Sequence, residues 1–111
     1  MKLIDRHTLQ SQLAQGGLYL LEALPAKYYD AEHLPGARHM PHDQVDALAA
    51  GLIPAKQAKV VVYCASAACQ NSHIAAQRLA QLGYTDVAVY AEGKKDWIEA
   101  GLPVEGLRQP A

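Results

Sequence analysis

Val60-Val61-Val62-Tyr63-Cys64 is the stretch on which the fold turns. Three β-branched residues and a tyrosine, with no charge among them, suit a strand covered on both faces, as at the centre of a parallel sheet. The residues that follow, Ala65-Ser66-Ala67-Ala68-Cys69-Gln70, are small or uncharged and lead to Asn71 and Ser72. Either can cap a helix running to Leu82, with Ile74, Ala75, Leu79 and Leu82 on one face and Gly83 past its end. A buried strand, a tight loop and an amphipathic helix therefore frame Cys64.

Beyond this unit, Val87 to Tyr90 reads as the next strand, and Gly93 to Ala100 as a last helix closed by Gly101 and Pro103. Before it, Leu18 to Leu24 reads as a mostly apolar strand ended by Pro25, and Ala26 to Glu32 as a helical turn. The turn residues His33-Leu34-Pro35-Gly36 precede a short strand, Ala37 to Met40, closed by Pro41. His42 to Ala50 suits a helix, followed by Gly51 and a loop through Pro54. At the N-terminus, Ile4, Leu9 and Leu13 stand at helical intervals around a helix from about Asp5 to Gln15 that stops at Gly16-Gly17. Strands alternating with helices in so short a chain predict three layers, α/β/α, with a central, mostly parallel sheet of about five strands.

The chain has 111 residues, half of them apolar, which suits one domain over residues 1–111. Its core spans about residues 3 to 105, with a loose tail after Val104. A domain of this size hides roughly two thirds of its unfolded surface and needs no disulfide framework or metal. Ten Lys and Arg against eleven Asp and Glu, without a long run of either sign, speak against nucleic acid as a partner. No apolar run reaches signal-peptide or membrane-spanning length, so a cytoplasmic protein without a membrane partner is expected. In a reducing compartment Cys64 and Cys69, the two cysteines, are available as thiols or as a reversible pair.

Ligands of parallel sheets collect beyond the carboxyl ends of the strands, where Cys64 stands. If residues 65 to 70 wind tightly, their backbone N–H groups turn inward and form an anion cradle, which the positive end of the next helix strengthens. The thiol of Cys64 should then ionise below its ordinary pKa of about 8.5. A functional sulfur must also be open to solvent; the bland alternative is a buried, inert cysteine at a strand end. Asn71, Ser72 and His73 are candidate contacts on the loop side. Cys69 could attack an oxidised or sulfur-loaded Cys64 and leave a disulfide, provided the two Cα atoms lie within about 7 Å. Otherwise Cys69 is a small side chain tucked under the loop. His39 and His42 flank Pro41 without a completing Cys or acid cluster, so no metal is expected, nor any other cofactor. His33 suits a structural hydrogen bond, and Lys94 and Lys95 could add positive charge near the loop mouth, with a solvated pair as the default reading.

Together these residues resemble the rhodanese family of single-domain sulfurtransferases, whose fold is shared by a group of cell-cycle phosphatases. Leu20-Leu21-Glu22, Tyr29 and His33-Leu34-Pro35-Gly36-Ala37 are similar to the family's first signature. Val61-Val62-Tyr63-Cys64 looks like the strand that delivers its nucleophile. Ser72, Ala75-Ala76, Leu79 and Gly83-Tyr84 resemble the next helix, Val87 the next strand, and Gly93, Trp97, Gly101 and Pro103 the closing signature. The resemblance implies the rhodanese-like fold and a catalytic Cys64 that takes a sulfane sulfur, becomes a persulfide, and passes the sulfur on. It implies a small sulfur donor, such as thiosulfate, polysulfide or a protein persulfide, and a thiol acceptor.

The chain departs from the family pattern at named positions. The family's loop commonly places an arginine or lysine five residues after the cysteine and a serine directly after that. Here the fifth residue is Cys69, and Ser72 arrives two residues late, so the loop is longer and neutral. Weak or absent thiosulfate turnover is expected, and phosphatase action is disfavoured for want of charge to stabilise a transferring phosphoryl group. Glu22 stands where aspartate is usual and Leu24 where arginine is usual, so the ion pair that braces this side of the site is expected to be missing. Two other readings remain: a thiol–disulfide switch between Cys64 and Cys69, and a non-catalytic module that only binds a partner.

Overall fold

The chain, described over residues 2–106 in a computed structural model, alternates strand and helix from its first residues. The elements are β1 (Lys2–Ile4), α1 (Arg6–Gln15), β2 (Leu18–Glu22), α2 (Ala26–Ala31), β3 (Arg38–His39), α3 (Val45–Leu52), β4 (Lys59–Tyr63), α4 (Asn71–Gln81), β5 (Asp86–Tyr90) and α5 (Gly93–Glu99). The strands form one sheet in the order β1-β5-β4-β2-β3, and every pairing is parallel. The expected three-layer architecture holds, with a sheet that is wholly rather than mostly parallel.

The alternation of side chains along β4 explains the layers. Val60 and Val62 face a core closed by α3 and α4, with Val45, Ala49, Ala75, Ala76 and Leu79. Val61 and Tyr63 face a second core that includes Leu9, Leu20, Ala88, Tyr90 and Trp97, the side of α1 and α5. Val60, Val61 and Val62 are fully buried, and each such side chain contributes on the order of 1.5–3 kcal/mol. A strand apolar on both faces must be flanked on both edges, and β4 lies between β2 and β5.

Several boundaries differ from the sequence reading: β2 stops at Glu22 and β3 is shorter, α3 runs on through Gly51 to Leu52, and the chain's two ends differ as well. Lys2 to Ile4 forms β1, paired with Ala88 to Tyr90, so Ile4 belongs to a strand and not to the first helix. Asp5 separates the two, its side chain accepting a hydrogen bond from the Thr8 amide at 2.8 Å as a helix cap. The third helix begins at Val45 rather than His42, because Pro41 to Gln44 closes a turn through a 3.0 Å bond from the Gln44 amide to the Pro41 carbonyl. At the C-terminal end of the core Val104 is buried, and His33 and Glu105 exchange two backbone hydrogen bonds of 2.9 Å. The rest of the expected tail, residues 107–111, lies outside the described range.

Candidate active site

Parallel pairing brings the carboxyl ends of all strands to one rim. The register sets Tyr90, Tyr63, Glu22 and His39 side by side across β5, β4, β2 and β3. Cys64 is the next residue of the central strand. Its carbonyl accepts from the Lys94 amide at 2.9 Å, and that of Ala65 accepts from the Lys95 amide at 2.9 Å. The first turn of α5 thus fixes the point where strand becomes loop. Gly93 makes this approach possible, for its φ is +70° and a Cβ there would lie 2.5 Å from the Cys64 carbonyl oxygen.

The sulfur faces inward. Cys64 is 0% exposed, and its Sγ lies 3.4 Å from the Cys69 carbonyl oxygen and 3.3 Å from Ser72 Oγ. The Cys69 amide is committed to a turn, donating to the Ser66 carbonyl at 3.0 Å. At residue 69, therefore, the cradle is reversed, and a carbonyl rather than an N–H meets the sulfur. Burial pushes the Cys64 thiol above its ordinary pKa, and the neighbouring Cys69 side chain adds to this, while the hydroxyl and amide of Ser72 pull the other way. The expectation of a lowered pKa is corrected: desolvation outweighs the polar contacts, and the loop carries no cation to reverse it. The sulfur is not open to solvent in this conformation.

Of the other candidates, Ala65, Ala67, Ala68 and Gln70 are exposed, and Ser66, Cys69, Asn71 and His73 are half-buried. Ser72 is fully buried and is the member of the Asn71, Ser72, His73 group in contact with the sulfur. The two cysteines are free thiols. Gln70, rather than Asn71 or Ser72, stands at the N-cap of α4. Among the described residues no group of three or more His, Cys, Asp or Glu could hold a metal ion. His39 is tied through Nε2 to the Leu24 carbonyl at 2.6 Å, and His33 through Nδ1 to the Tyr29 carbonyl at 2.8 Å.

One expectation fails outright, because Glu22 has a cation. Lys94 is not a solvated residue: its Nζ lies 3.0 Å from Glu22 Oε1 and donates to the Tyr28 carbonyl at 3.0 Å. Tyr63 donates through its hydroxyl to the same Glu22 oxygen at 2.8 Å and accepts from the Leu34 amide at 3.0 Å. Burial, followed by the Glu22 charge, drives the Tyr63 phenol far above its ordinary pKa. A buried carboxylate demands a counter-charge, and with Leu24 unable to supply one the partner comes from α5. The available signal was the strand-end acid Glu22 with an apolar Leu24 in place of a cation, and the Gly93-Lys94-Lys95 turn as a remote source of one. Beside the network a cleft of about 410 Å³, lined by Leu24, Lys27, Tyr28, Ala65, Lys94 and Ile98 among others, reaches the loop at Ala65. Cys64 does not line it.

A cysteine at the end of the central parallel strand, a tightly turned loop and a following helix define an α/β domain with a thiol held at its carboxyl rim. The rhodanese-like domain family model matches residues 5–100, and the chain belongs to that family. Among solved structures, the BH2092 protein of Bacillus halodurans shares the fold at 24% identity with a TM-score of 0.88, covering 97% of this chain and 79% of its own. A thiosulfate sulfurtransferase of Pseudomonas aeruginosa is 25% identical with a TM-score of 0.85, over 96% of this chain but 20% of its own. A rhodanese from E. coli, determined with anions, is 29% identical with a TM-score of 0.68, over 80% of this chain and 98% of its own. No curated protein matches the chain. No helix among the described residues is long and apolar enough to cross a membrane.

Proposed function

We propose that this domain is a sulfurtransferase or persulfide carrier that takes a sulfane sulfur onto Cys64 and yields it to a thiol. The observation that carries the reading is the position of Cys64 in a family of this activity: the first residue past the central strand, held by the amide of Lys94 and touched by Ser72. The donor is small, a thiosulfate, a polysulfide or the persulfide of another protein. The thiolate attacks the outer sulfur of the donor, a new S–S bond forms on Cys64, and the remainder of the donor leaves with the electron pair.

The closed sulfur sets a condition on this chemistry. With Cys64 fully buried and its Sγ in contact with the Cys69 carbonyl and Ser72 Oγ, a donor meets no open path to the sulfur, so loading requires residues 65 to 70 to move aside. A loop of small side chains, exposed at four of its six positions, has little packing to hold it shut. The neutral loop favours donors with a good neutral or singly charged leaving group over thiosulfate, for which a guanidinium fork is the usual aid.

The test is sulfur loading. Reduced protein is treated with thiosulfate or a polysulfide, and its intact mass and its release of thiocyanate from cyanide are measured. The expected result is a gain of one sulfur atom, lost in Cys64→Ser, with polysulfide the better donor. Absence of a Cys64-dependent gain with every donor overturns the reading.

That same closure favours a second reading, a rhodanese-like module that binds a partner without turnover. Its mark is a biological activity left unchanged by Cys64→Ser.

A further inference from the structure

Cys69 has a place in the site that the loop's shape alone explains. The turn from Ser66 to Cys69 folds residue 69 back over the end of β4, so that its carbonyl lies 3.4 Å from Cys64 Sγ. Cys69 thus has its backbone against the Cys64 sulfur and its own thiol on the same short loop, five residues on. The two sulfurs differ in access, since Cys64 is fully buried and Cys69 is half-exposed. A sulfur carried on Cys64 therefore has one nucleophile built into the loop that covers it, whereas an external thiol must first pass that loop. Groups tethered by so short a stretch of chain meet at effective concentrations of millimolar or more.

We propose that Cys69 is the internal acceptor of the domain: its sulfur attacks Cys64 Sγ in the persulfide and releases the carried sulfur as sulfide. The proposal deepens the sulfurtransferase reading and rests on it. The bond formed is Sγ of Cys64 to Sγ of Cys69, and the bond broken is that between Cys64 Sγ and the carried sulfur. The electron pair leaves on hydrosulfide, which takes up the proton given by the Cys69 thiol. The persulfide and thiol thus become a disulfide and hydrogen sulfide, with no outside oxidant. A dithiol then exchanges with the disulfide, becomes a cyclic disulfide itself, and restores both cysteines as thiols.

Loading with polysulfide, rapid removal of excess donor, and measurement of sulfide and intact mass without added thiol test the step. Wild type is expected to release one sulfide per loaded chain and to finish two hydrogens lighter than the dithiol form. Cys69→Ser and Cys69→Ala should still take up one sulfur on Cys64 and, once loaded, hold it at least about tenfold longer, yielding it only to added thiol. Release from both variants at the wild-type rate, or wild type that retains its sulfur without forming the bond, overturns the internal acceptor and leaves the sulfur carrier standing. Failure of wild type to load from any donor removes both. Incubation of unloaded protein in oxidised glutathione distinguishes the cases further. A Cys64–Cys69 bond formed there supports the reach of the two sulfurs, and its absence overturns the internal acceptor independently of loading.

Discussion

Lys94 and Glu22 form a 3.0 Å ion pair with both side chains withdrawn from water, tying the first turn of the last helix to the end of β2. The backbone of the same lysine holds the Cys64 carbonyl. One residue thus joins the buried acid to Cys64.

Removing one partner of this pair should cost far more than removing both charges. Lys94→Met leaves the Glu22 carboxylate buried without a counter-charge and is expected to cost about 3–5 kcal/mol in urea unfolding. The double variant Glu22→Gln/Lys94→Met keeps an acceptor for the Tyr63 hydroxyl and should recover most of that loss. Equal costs for the single and double variants would show that the pair is not what Lys94 contributes.

Gly93→Ala and Gly83→Ala separate backbone strain from loop packing. Both glycines have positive φ, +70° and +100°, but a Cβ at Gly83 meets nothing within 4 Å, whereas one at Gly93 meets the Cys64 carbonyl. Gly83→Ala should cost about 1–2 kcal/mol for conformation alone. Gly93→Ala should cost clearly more, and it should expose Cys64 to alkylation because the loop start must shift. Matching losses and matching alkylation rates would remove the role given to Gly93.

The thiol of Cys64 has a pH signature. Its folded pKa is raised above that of an ordinary thiol, so between the two the folded protein binds the proton more tightly than the unfolded chain. The resulting stability is fully present below the unfolded pKa and is lost as pH rises through the folded one. Unfolding free energies of wild type and Cys64→Ser should therefore diverge little near pH 7, and wild type should lose ground relative to the variant above about pH 9. Tyrosines with raised pKa contribute the same slope to both proteins and cancel in the difference. A difference flat from neutral to alkaline pH would contradict the assignment.

Ser72 opposes that shift, since both its hydroxyl and its amide favour the thiolate. Ser72→Ala removes the hydroxyl at 3.3 Å and should raise the Cys64 pKa further. The alkylation rate at a fixed pH below it should fall roughly three- to tenfold, as expected for the loss of one hydrogen bond. A pH–rate profile unmoved by the substitution would assign Ser72 a packing role only.

The central strand was legible because three adjacent β-branched residues admit few other readings, and the helix after the loop because its apolar spacing is regular. The first strand was not, since three residues beginning with a lysine carry no period of their own and Ile4 also fits the face of the following helix. Its strand character comes from pairing with β5, a contact across the whole chain. The position of Cys64 could be read from the sequence, but its surroundings could not. They depend on which way the peptide plane at Cys69 faces in a loop of small residues, and composition does not set that. Lys94 is hidden in the sequence for a related reason: a lysine beside another lysine resembles solvated surface until the distant Glu22 is known to need a charge.

The two valine-lined cores end below the rim, and the six residues from Ala65 to Gln70 contribute nothing to either. Their spelling can consequently drift in number and in electric character while the scaffold beneath folds as before. The domain behaves as a chassis with an interchangeable tip, and grafting a shorter, arginine-bearing tip between Cys64 and Ser72 would retune the sulfur without rebuilding what supports it.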